Sequence, residues 1–387
     1  MTLQRNIFEQ DHEAYRETVR EFLAREIEPN YDQWETDRLI DRSAWLAAGK
    51  SGLVGLGVPE EYGGSGVTDF RFRHVVAEEI ARTATTSFGS GLSVHDDIVI
   101  PYIDNLGTDD QKRRWLPVMA AGELIGAIAM TEPGAGSDLQ GVKTTAVRNG
   151  DDWVINGQKT FITNGIHSDV VIVVARTDPN AGSKGFSLIV VERGAPGFSR
   201  GRKLHKVGLA AQDTAELVFE DVRVPASNLL GTEGRGFVHL MENLPLERIA
   251  IAVNAIASAR AAYEWTKTYV FERKAFGKPI GDLQNTRFTL AEMLTEIEVT
   301  ESHIDRCVLA LKAGELTAVD ASKGKWWATE LQKRIVDRCV QLHGGYGYMM
   351  EYLIGRAYVD ARIQTIYGGT TEIMKEIIGR DIASKFK

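Results

Sequence analysis

The sequence predicts an α+β fold in three parts: an N-terminal all-α domain over residues 1–123, a β-sandwich or barrel domain over 124–235, and a C-terminal four-helix bundle over 236–387. Three observations carry this. Apolar residues recur at helical spacing in the first third. From Leu124 to about Val224 the period shortens to that of strands. Beyond Gly236 long helical patterns return, joined by short turns that contain glycine.

Phe8, Tyr15, Val19, Phe22, Leu23 and Ile27 fall on one face of a first helix, which Pro29 is expected to stop, and a second helical pattern runs from about Phe70 to Ala81. Trp153 to Gly157, Val170 to Ala175, Phe186 to Val191 and Glu216 to Phe219 are short β-branched or aromatic runs punctuated by Gly, Asn, Asp and Pro, as strands are. Segments near 238–273, 282–314, 318–343 and 371–385 are long enough to pack as an antiparallel bundle. No early βαβ unit with a Gly-x-Gly-x-x-Gly turn appears, which argues against a nicotinamide dehydrogenase.

Composition narrows the function. The 387 residues are 43% hydrophobic and 25% charged with a formal net charge of -8, which argues against nucleic-acid binding but leaves anionic small molecules open. The opening MTLQRNIFEQDHEAYRETVREF carries charges throughout, so neither a signal peptide nor an Arg-rich transit sequence is read there; a cytoplasmic protein of bacterial type is the expectation. The apolar runs are short, Val170 to Ala175 among the longest, and no membrane span is expected. Cys307 and Cys339 lie within helical patterns as buried free thiols, and neither a disulfide framework nor a metal site follows.

The stretch Ile128-Ala129-Met130-Thr131-Glu132-Pro133-Gly134-Ala135-Gly136-Ser137-Asp138 follows a predicted strand with a loop of small residues. Gly134 and Gly136 permit close backbone approach, Pro133 fixes a turn, and the Thr131 and Ser137 hydroxyls can donate to a flat polar ligand; an ordinary surface turn has similar composition. Four further motifs follow in order: LHKVGLAAQDTAELVFEDVRVP (204–225), ERKAFGKPIGDLQ (272–284), QLHGGYGYMMEY (341–352) and RIQTIYGGTTEIMKEIIGRDI (362–382). Together they resemble the acyl-CoA dehydrogenase family, flavoenzymes that desaturate an acyl-CoA thioester between its α and β carbons, and above all the family's long-chain branch.

The resemblance implies FAD as cofactor. Met130, Thr131, Gly136 and Ser137 would line the isoalloxazine together with Phe161, Ile162 and Thr163; many relatives carry tryptophan where Phe161 stands. Arg273, Phe276 and Gln284 match FAD-contacting positions, the arginine near the pyrophosphate, although alone it reads as a surface charge paired to a carboxylate. Gln341, Leu342, His343, Gly344 and Gly345 match a loop that reaches the FAD of a neighbouring subunit, which implies a homotetramer built as a dimer of dimers; read bare, the loop is a glycine C-cap with a structural histidine. Thr370, Thr371 and Glu372 open the last helix, where free N–H groups suit a phosphate or ribose, and are equally ordinary caps.

Desaturation needs a carboxylate that removes the α proton, placed in an apolar slot that raises its pKa toward working pH. In most of the family that glutamate directly follows the tyrosine of the last motif; here Tyr367 is followed by Gly368. Glu247, within Leu244-Pro245-Leu246-Glu247-Arg248, stands where long-chain and isovaleryl relatives place theirs, so it is the expected base, with Glu372 as rival. Glycine at 368 is expected to clear space for the relocated carboxylate, while the resemblance implies that its backbone N–H and a ribityl hydroxyl of FAD hold the thioester oxygen. Pro245 is expected to kink or unwind its helix and widen the acyl tunnel. The resemblance implies Ser137, Ser183, Lys184, Val238, Pro245, Arg248, Gly368 and Gly369 as the substrate-side residues. The implied reaction is desaturation of a medium- to long-chain, possibly branched, acyl-CoA with an electron-transfer flavoprotein as acceptor. The alternatives are an isovaleryl-type short branched substrate, an oxidase or monooxygenase on the same scaffold, or a catalytically silent FAD-binding protein.

Overall fold

The computed structural model describes residues 5–386. Helices α1 (Gln10–Phe22), α2 (Glu28–Asp37), α3 (Arg42–Lys50), α4 (Arg71–Thr83), α5 (Thr86–Ser93), α6 (Ile100–Leu106) and α7 (Asp109–Ala120) form the first part. Pro29 does not stop the first helical run. Leu23–Ile27 is a π-helical turn, and Pro29 falls in the first turn of α2, where its missing N–H has no partner to lose. The last turn before the β part is set by α7, whose Thr108 and Gln111 cap each other's backbone N–H.

Strands β1 (Gly126–Ala129), β2 (Thr145–Asn149), β3 (Asp152–Thr163), β4 (Val170–Arg176), β5 (Phe186–Glu192), β6 (Phe198–Lys203), β7 (Thr214–Pro225) and β8 (Leu229–Leu230) follow. They run in the order β6-β7-β3-β2-β4-β5-β8, with β1 pairing parallel to β4, and β2 meeting β4 at the single pair Thr145–Arg176. That narrow join folds the sheet on itself around Trp153, Ile155, Val171, Val173, Leu217 and Phe219, while the other face of β4 and β5 packs on α6 and α7 through Ile172, Val190, Tyr102 and Trp115. The β4 run is apolar at every position because both its faces are covered.

The last part holds α8 (Gly236–Glu272), a small hairpin of β9 (Lys274–Ala275) and β10 (Lys278–Pro279), α9 (Gln284–Lys312), α10 (Ala318–His343), α11 (Leu353–Ala361) and α12 (Thr371–Ser384). The long α8 is buried on most sides, packing α10, α9 and α4 through residues such as Ile249, Val253, Ile256 and Ala259. It is the central pillar of the bundle, and cutting one of these isoleucines to alanine is expected to cost about 2–5 kcal/mol. Both cysteines are free and buried, and no helix among the described residues is long and apolar enough to cross a membrane.

Candidate active site

Glu247 projects from the third turn of α8 into the protein and is 4% exposed. The buried Tyr102 hydroxyl of α6 donates to its Oε1 at 3.0 Å. Near the same level Asn105 Nδ2 donates to Asn243 Oδ1 at 3.3 Å, so two polar pairs, spaced by about a turn on each helix, fix α6 alongside α8. Burial pushes the Glu247 carboxyl up to about 7, against the opposing pull of the Tyr102 hydrogen bond and the Arg248 charge. A carboxyl in that range is about half ionised at neutral pH and more basic than an ordinary carboxylate, as a group that takes a carbon-bound proton must be. The rival Glu372 is exposed at the start of α12, its carboxyl held below the ordinary value by hydrogen bonds from its own backbone N–H and from Thr370.

Helix α8 continues without interruption through Pro245, so the expected unwinding does not occur. Buried Leu244, Glu247 and Arg248 pin the turn from both sides, and this packing overrides the local preference of proline.

The turn at Gly368 and Gly369 lies against the same helix. Both are left-handed, with φ of 64° and 97°, and a Cβ would stand 2.3 Å from Ile251 Cδ1 at Gly368 and 2.6 Å from Met374 Cε at Gly369. The space beside Gly368 is therefore filled by Ile251, one turn beyond Glu247, and is not left for the carboxylate as the sequence had implied. Two buried cations face this turn: Lys325 Nζ of α10 donates to Gly369 O at 2.7 Å, and Arg248 Nε lies 3.5 Å from Gly368 O with Nη1 3.4 Å from Ser322 Oγ. The hydroxyls that follow have structural partners, since Thr370 Oγ1 caps Ile373 N and Thr371 Oγ1 donates to Glu330.

The loop after β1 is tied down from beneath. Glu132 accepts from Lys143 N at 2.7 Å, Thr144 N at 2.9 Å and Lys159 Nζ at 2.8 Å, and Lys159 also donates to Met130 O at 3.1 Å. Burial works against the Glu132 charge, but the Lys159 ammonium and the two amides hold its carboxyl below the usual range. With Thr160 N donating to Thr131 O at 2.9 Å, these bonds bring Met130 and Thr131 beside β3 and its end at Phe161 to Thr163. Gly136, Ser137 and Phe161 are exposed, Met130, Thr131 and Thr163 are half-buried, and Phe161 is left-handed at φ 60°. Ile162 departs from its expected place at the ring, because its side chain packs inside the β core and leaves only its backbone to reach outward.

A second concavity of about 540 Å³ lies at the far end of the bundle, lined by Tyr269, Arg273, Ile280, the whole run Gln341 to Gly345, Tyr346 and Met349. No residue from 130–137 or 161–163 lines it. Arg273 has no carboxylate partner among the described residues, and its guanidinium sits 5.7 Å from the Tyr346 ring centre. His343 is already engaged: Nδ1 meets Cys339 O at 2.9 Å and the ring stacks on Tyr269 at 4.2 Å. Beside the cavity, Phe276 forms the tip of the β9–β10 hairpin and is 92% exposed, and exposed Gln284 opens α9. Of the other substrate-side residues, Val238 is exposed on the first turn of α8, and exposed Ser183 and Lys184 lie in a short turn that packs against that helix.

Tyr102, Lys325, Glu132 and Lys159 were not singled out in the sequence. Lys325 carried a signal, since it interrupts the apolar face formed by Ala321, Ala328, Leu331 and Ile335 of α10; Tyr102 carried none beyond its place in an apolar run.

Comparison with known proteins agrees across the whole length. Family models described as the N-terminal, middle and C-terminal domains of acyl-CoA dehydrogenase match residues 9–123, 127–222 and 234–383. The mitochondrial long-chain specific acyl-CoA dehydrogenase of Sus scrofa is 52% identical over 98% of this chain and 88% of its own. The crystal structure of an acyl-CoA dehydrogenase from Geobacillus kaustophilus superposes with a TM-score of 0.95 at 49% identity, over 98% of this chain and 100% of that one. An acyl-CoA dehydrogenase complexed with FAD from Bacillus anthracis superposes at 0.92 with 33% identity, over 98% of this chain and 67% of that one. With its helical, β and helical parts in the same order as those models, this chain belongs to the acyl-CoA dehydrogenase family, oxidoreductases that act on the CH–CH group of their donors.

Proposed function

We propose that the chain binds FAD and converts a medium- to long-chain acyl-CoA, straight or branched, to the trans-2-enoyl-CoA, with Glu247 as the base. The observation that carries this is the Glu247 carboxyl itself: buried, poised near neutrality, and one turn along α8 from the Ile251 contact with Gly368.

The residues present fit the cofactor. At Gly134, Gly136 and Gly345 a Cβ would meet nothing within 4 Å, and none of the three is left-handed, so the protein's own packing gives no reason for glycine there. A ligand lying against the backbone does. Met130, Thr131, Gly136, Ser137, Phe161, Thr163 and the backbone of Ile162 would hold the ring system. The unpaired Arg273 with Phe276, Gln284 and the 341–345 loop would hold the FAD of a second subunit. That these groups form two separate half-sites, with Phe161 and Phe276 68% and 92% exposed, supports completion of the site by a second subunit; the homotetramer, a dimer of dimers, is what the family resemblance implies. Thr370, Thr371 and Glu372 contribute backbone N–H groups at the α12 N-terminus.

FAD, when bound, would supply at its N5 the acceptor for the hydride leaving the β carbon, with an electron-transfer flavoprotein as the onward acceptor. The chain does the rest. Tyr102 holds Oε1 of Glu247, which leaves Oε2 to receive the α proton. The Gly368 N–H meets the thioester oxygen as enolate charge develops, a donor role worth a few kcal/mol, about 3, in comparable sites. Arg248, Gly369, Val238, Pro245, Ser137, Ser183 and Lys184 line the path of the acyl-CoA. The long-chain assignment rests on the pairing of Tyr367-Gly368-Gly369-Thr370 with Leu244 to Arg248 and on the long-chain relative.

Anaerobic mixing of the FAD-loaded protein with acyl-CoAs of increasing length tests the proposal. The flavin is expected to bleach, fastest with long chains, and Glu247→Gln is expected to slow bleaching by roughly 10⁴-fold. Undiminished bleaching in the variant removes Glu247 from the reaction, and an unchanged wild-type spectrum at every length makes the protein a silent flavin binder. Fastest bleaching with isovaleryl-CoA reassigns the substrate, and rapid oxygen uptake reassigns the acceptor.

A further inference from the structure

Lys325 is completely buried, and Gly369 O at 2.7 Å is its one hydrogen-bond partner among the described residues. No carboxylate pairs with it there, nor with Arg248, the second buried cation on this turn. Burial pulls the ammonium down to about 8 and the Arg248 charge adds to this, against a weaker opposing pull from the Glu330 and Glu372 carboxylates. An unpaired buried charge is costly, and a neutral donor would satisfy one carbonyl at lower cost. The turn does not need Lys325 as a cap either, since Thr370 already caps α12.

What the two cations share is the adjacent carbonyls of Gly368 and Gly369, the two residues with the greatest backbone freedom in this part of the chain. Peptide planarity ties the Gly368 carbonyl to the Gly369 N–H and the Gly369 carbonyl to the Thr370 N–H, so holding both carbonyls toward α8 and α10 fixes the two planes that follow Gly368. The Gly368 N–H lies in the plane before them, separated only by the φ and ψ of Gly368, so the held planes restrict its direction through the left-handed conformation of that glycine. We propose that Lys325 is a positioning residue: by holding the Gly369 carbonyl it preorganises the Gly368 turn, and with it the N–H that receives the thioester oxygen. This rests on the acyl-CoA reading above, and it adds a residue that touches neither the substrate nor the flavin.

Lys325→Met keeps the volume of the side chain and removes the donor; Lys325→Gln is too short to reach the carbonyl; Lys325→Arg keeps a cationic donor. The readouts are FAD content, melting temperature, kcat and KM, and the long-wavelength absorbance that a 3-thia-acyl-CoA develops when its α-deprotonated form lies against oxidised flavin. Met and Gln variants are expected to retain FAD and KM within about threefold while kcat falls roughly 30–100-fold. The long-wavelength band should weaken and need a higher pH to appear, and Lys325→Arg should recover at least a tenth of the wild-type kcat. A folded, FAD-loaded Met or Gln variant with wild-type kcat and band overturns the proposal. So does loss of folding in both, since Lys325 would then serve stability alone. Failure of the underlying reading looks different, because wild type itself would then give neither bleaching nor band.

Discussion

The loop at 130–138, proposed to face the flavin, and the turn at 368–369, proposed to face the acyl thioester, are both glycine-rich, yet they are built on opposite terms. On the flavin side the glycines face open space, and the one buried ion pair, Glu132 with Lys159, is compensated by two amides and the Met130 carbonyl. On the acyl side the glycines are left-handed and pressed by Ile251 and Met374, and three ionisable groups, Glu247, Arg248 and Lys325, are buried with no ion pair among them. One region is a stable platform whose ligand contacts lie outside the protein. The other holds unpaired buried charge at the proposed reaction site, as functional sites do.

If that contrast is right, the largest stability loss comes from the platform. Glu132→Gln leaves the Lys159 ammonium buried with only neutral partners, and it is expected to lower unfolding free energy by about 3–5 kcal/mol in chemical denaturation. A loss under about 1 kcal/mol would mean that the loop is not held by this pair.

Next come the glycines. Gly368→Ala forces a Cβ into Ile251 and a left-handed alanine, expected to cost about 2–4 kcal/mol, and Ile251→Ala in the same chain should return part of it. Gly136→Ala meets no atom, so the apoprotein should stay within about 0.5 kcal/mol of wild type. Its FAD affinity should nevertheless fall by about tenfold, roughly 1.4 kcal/mol, as measured by flavin fluorescence titration. Equal thermal losses in the two variants would erase the distinction between open and filled glycines.

Glu247→Gln should do the reverse of Glu132→Gln. The folded-state pKa of Glu247, about 7, lies above the ordinary 4.5, so the folded protein binds this proton more tightly than the unfolded chain. The proton's contribution to stability is full below pH 4.5 and is lost as pH rises through 7. Above that, an ionised carboxylate is buried, and replacing it with glutamine is expected to raise stability by about 2 kcal/mol at pH 8 and by little at pH 4.5. A destabilised Gln variant at pH 8 would show that the charge is compensated after all.

The architecture was legible because it is written locally: strand-length runs such as Val170 to Ala175 and the long apolar stripes of α8, α9 and α10 each announce their period within one window. Glu247 could be singled out because Gly368 occupies a motif position where a carboxylate is otherwise expected. What was not legible is contact across the chain. Tyr102 meets Glu247 over 145 residues, Lys325 meets Gly369 over 44, and Glu132 meets Lys159 over 27, and no local pattern encodes such pairs. The same blindness explains the two prolines. Pro29 and Pro245 read as breaks on propensity alone, but a π turn before one and buried neighbours around the other let the helices run on. It also explains Ile162, whose strand parity, set by pairing with Ala215, points it into the β core.

The smallest effect separates the base from its support. Tyr102→Phe removes the donor to Glu247 Oε1 and keeps the ring that fills the space between α6 and α8. Because that hydrogen bond favours the ionised form, its loss should raise the Glu247 pKa further above 7. The acid limb of the rate profile, where activity rises with pH as Glu247 ionises, should shift upward by less than about one pH unit, equivalent to less than about 1.4 kcal/mol. At pH 9 the variant should approach the wild-type rate, since the carboxylate is then ionised in both and its Oε2 remains free. A deficit that persists at high pH would assign Tyr102 to aiming the carboxylate and not only to its charge, whereas a profile identical to wild type would mean that α6 contributes packing alone.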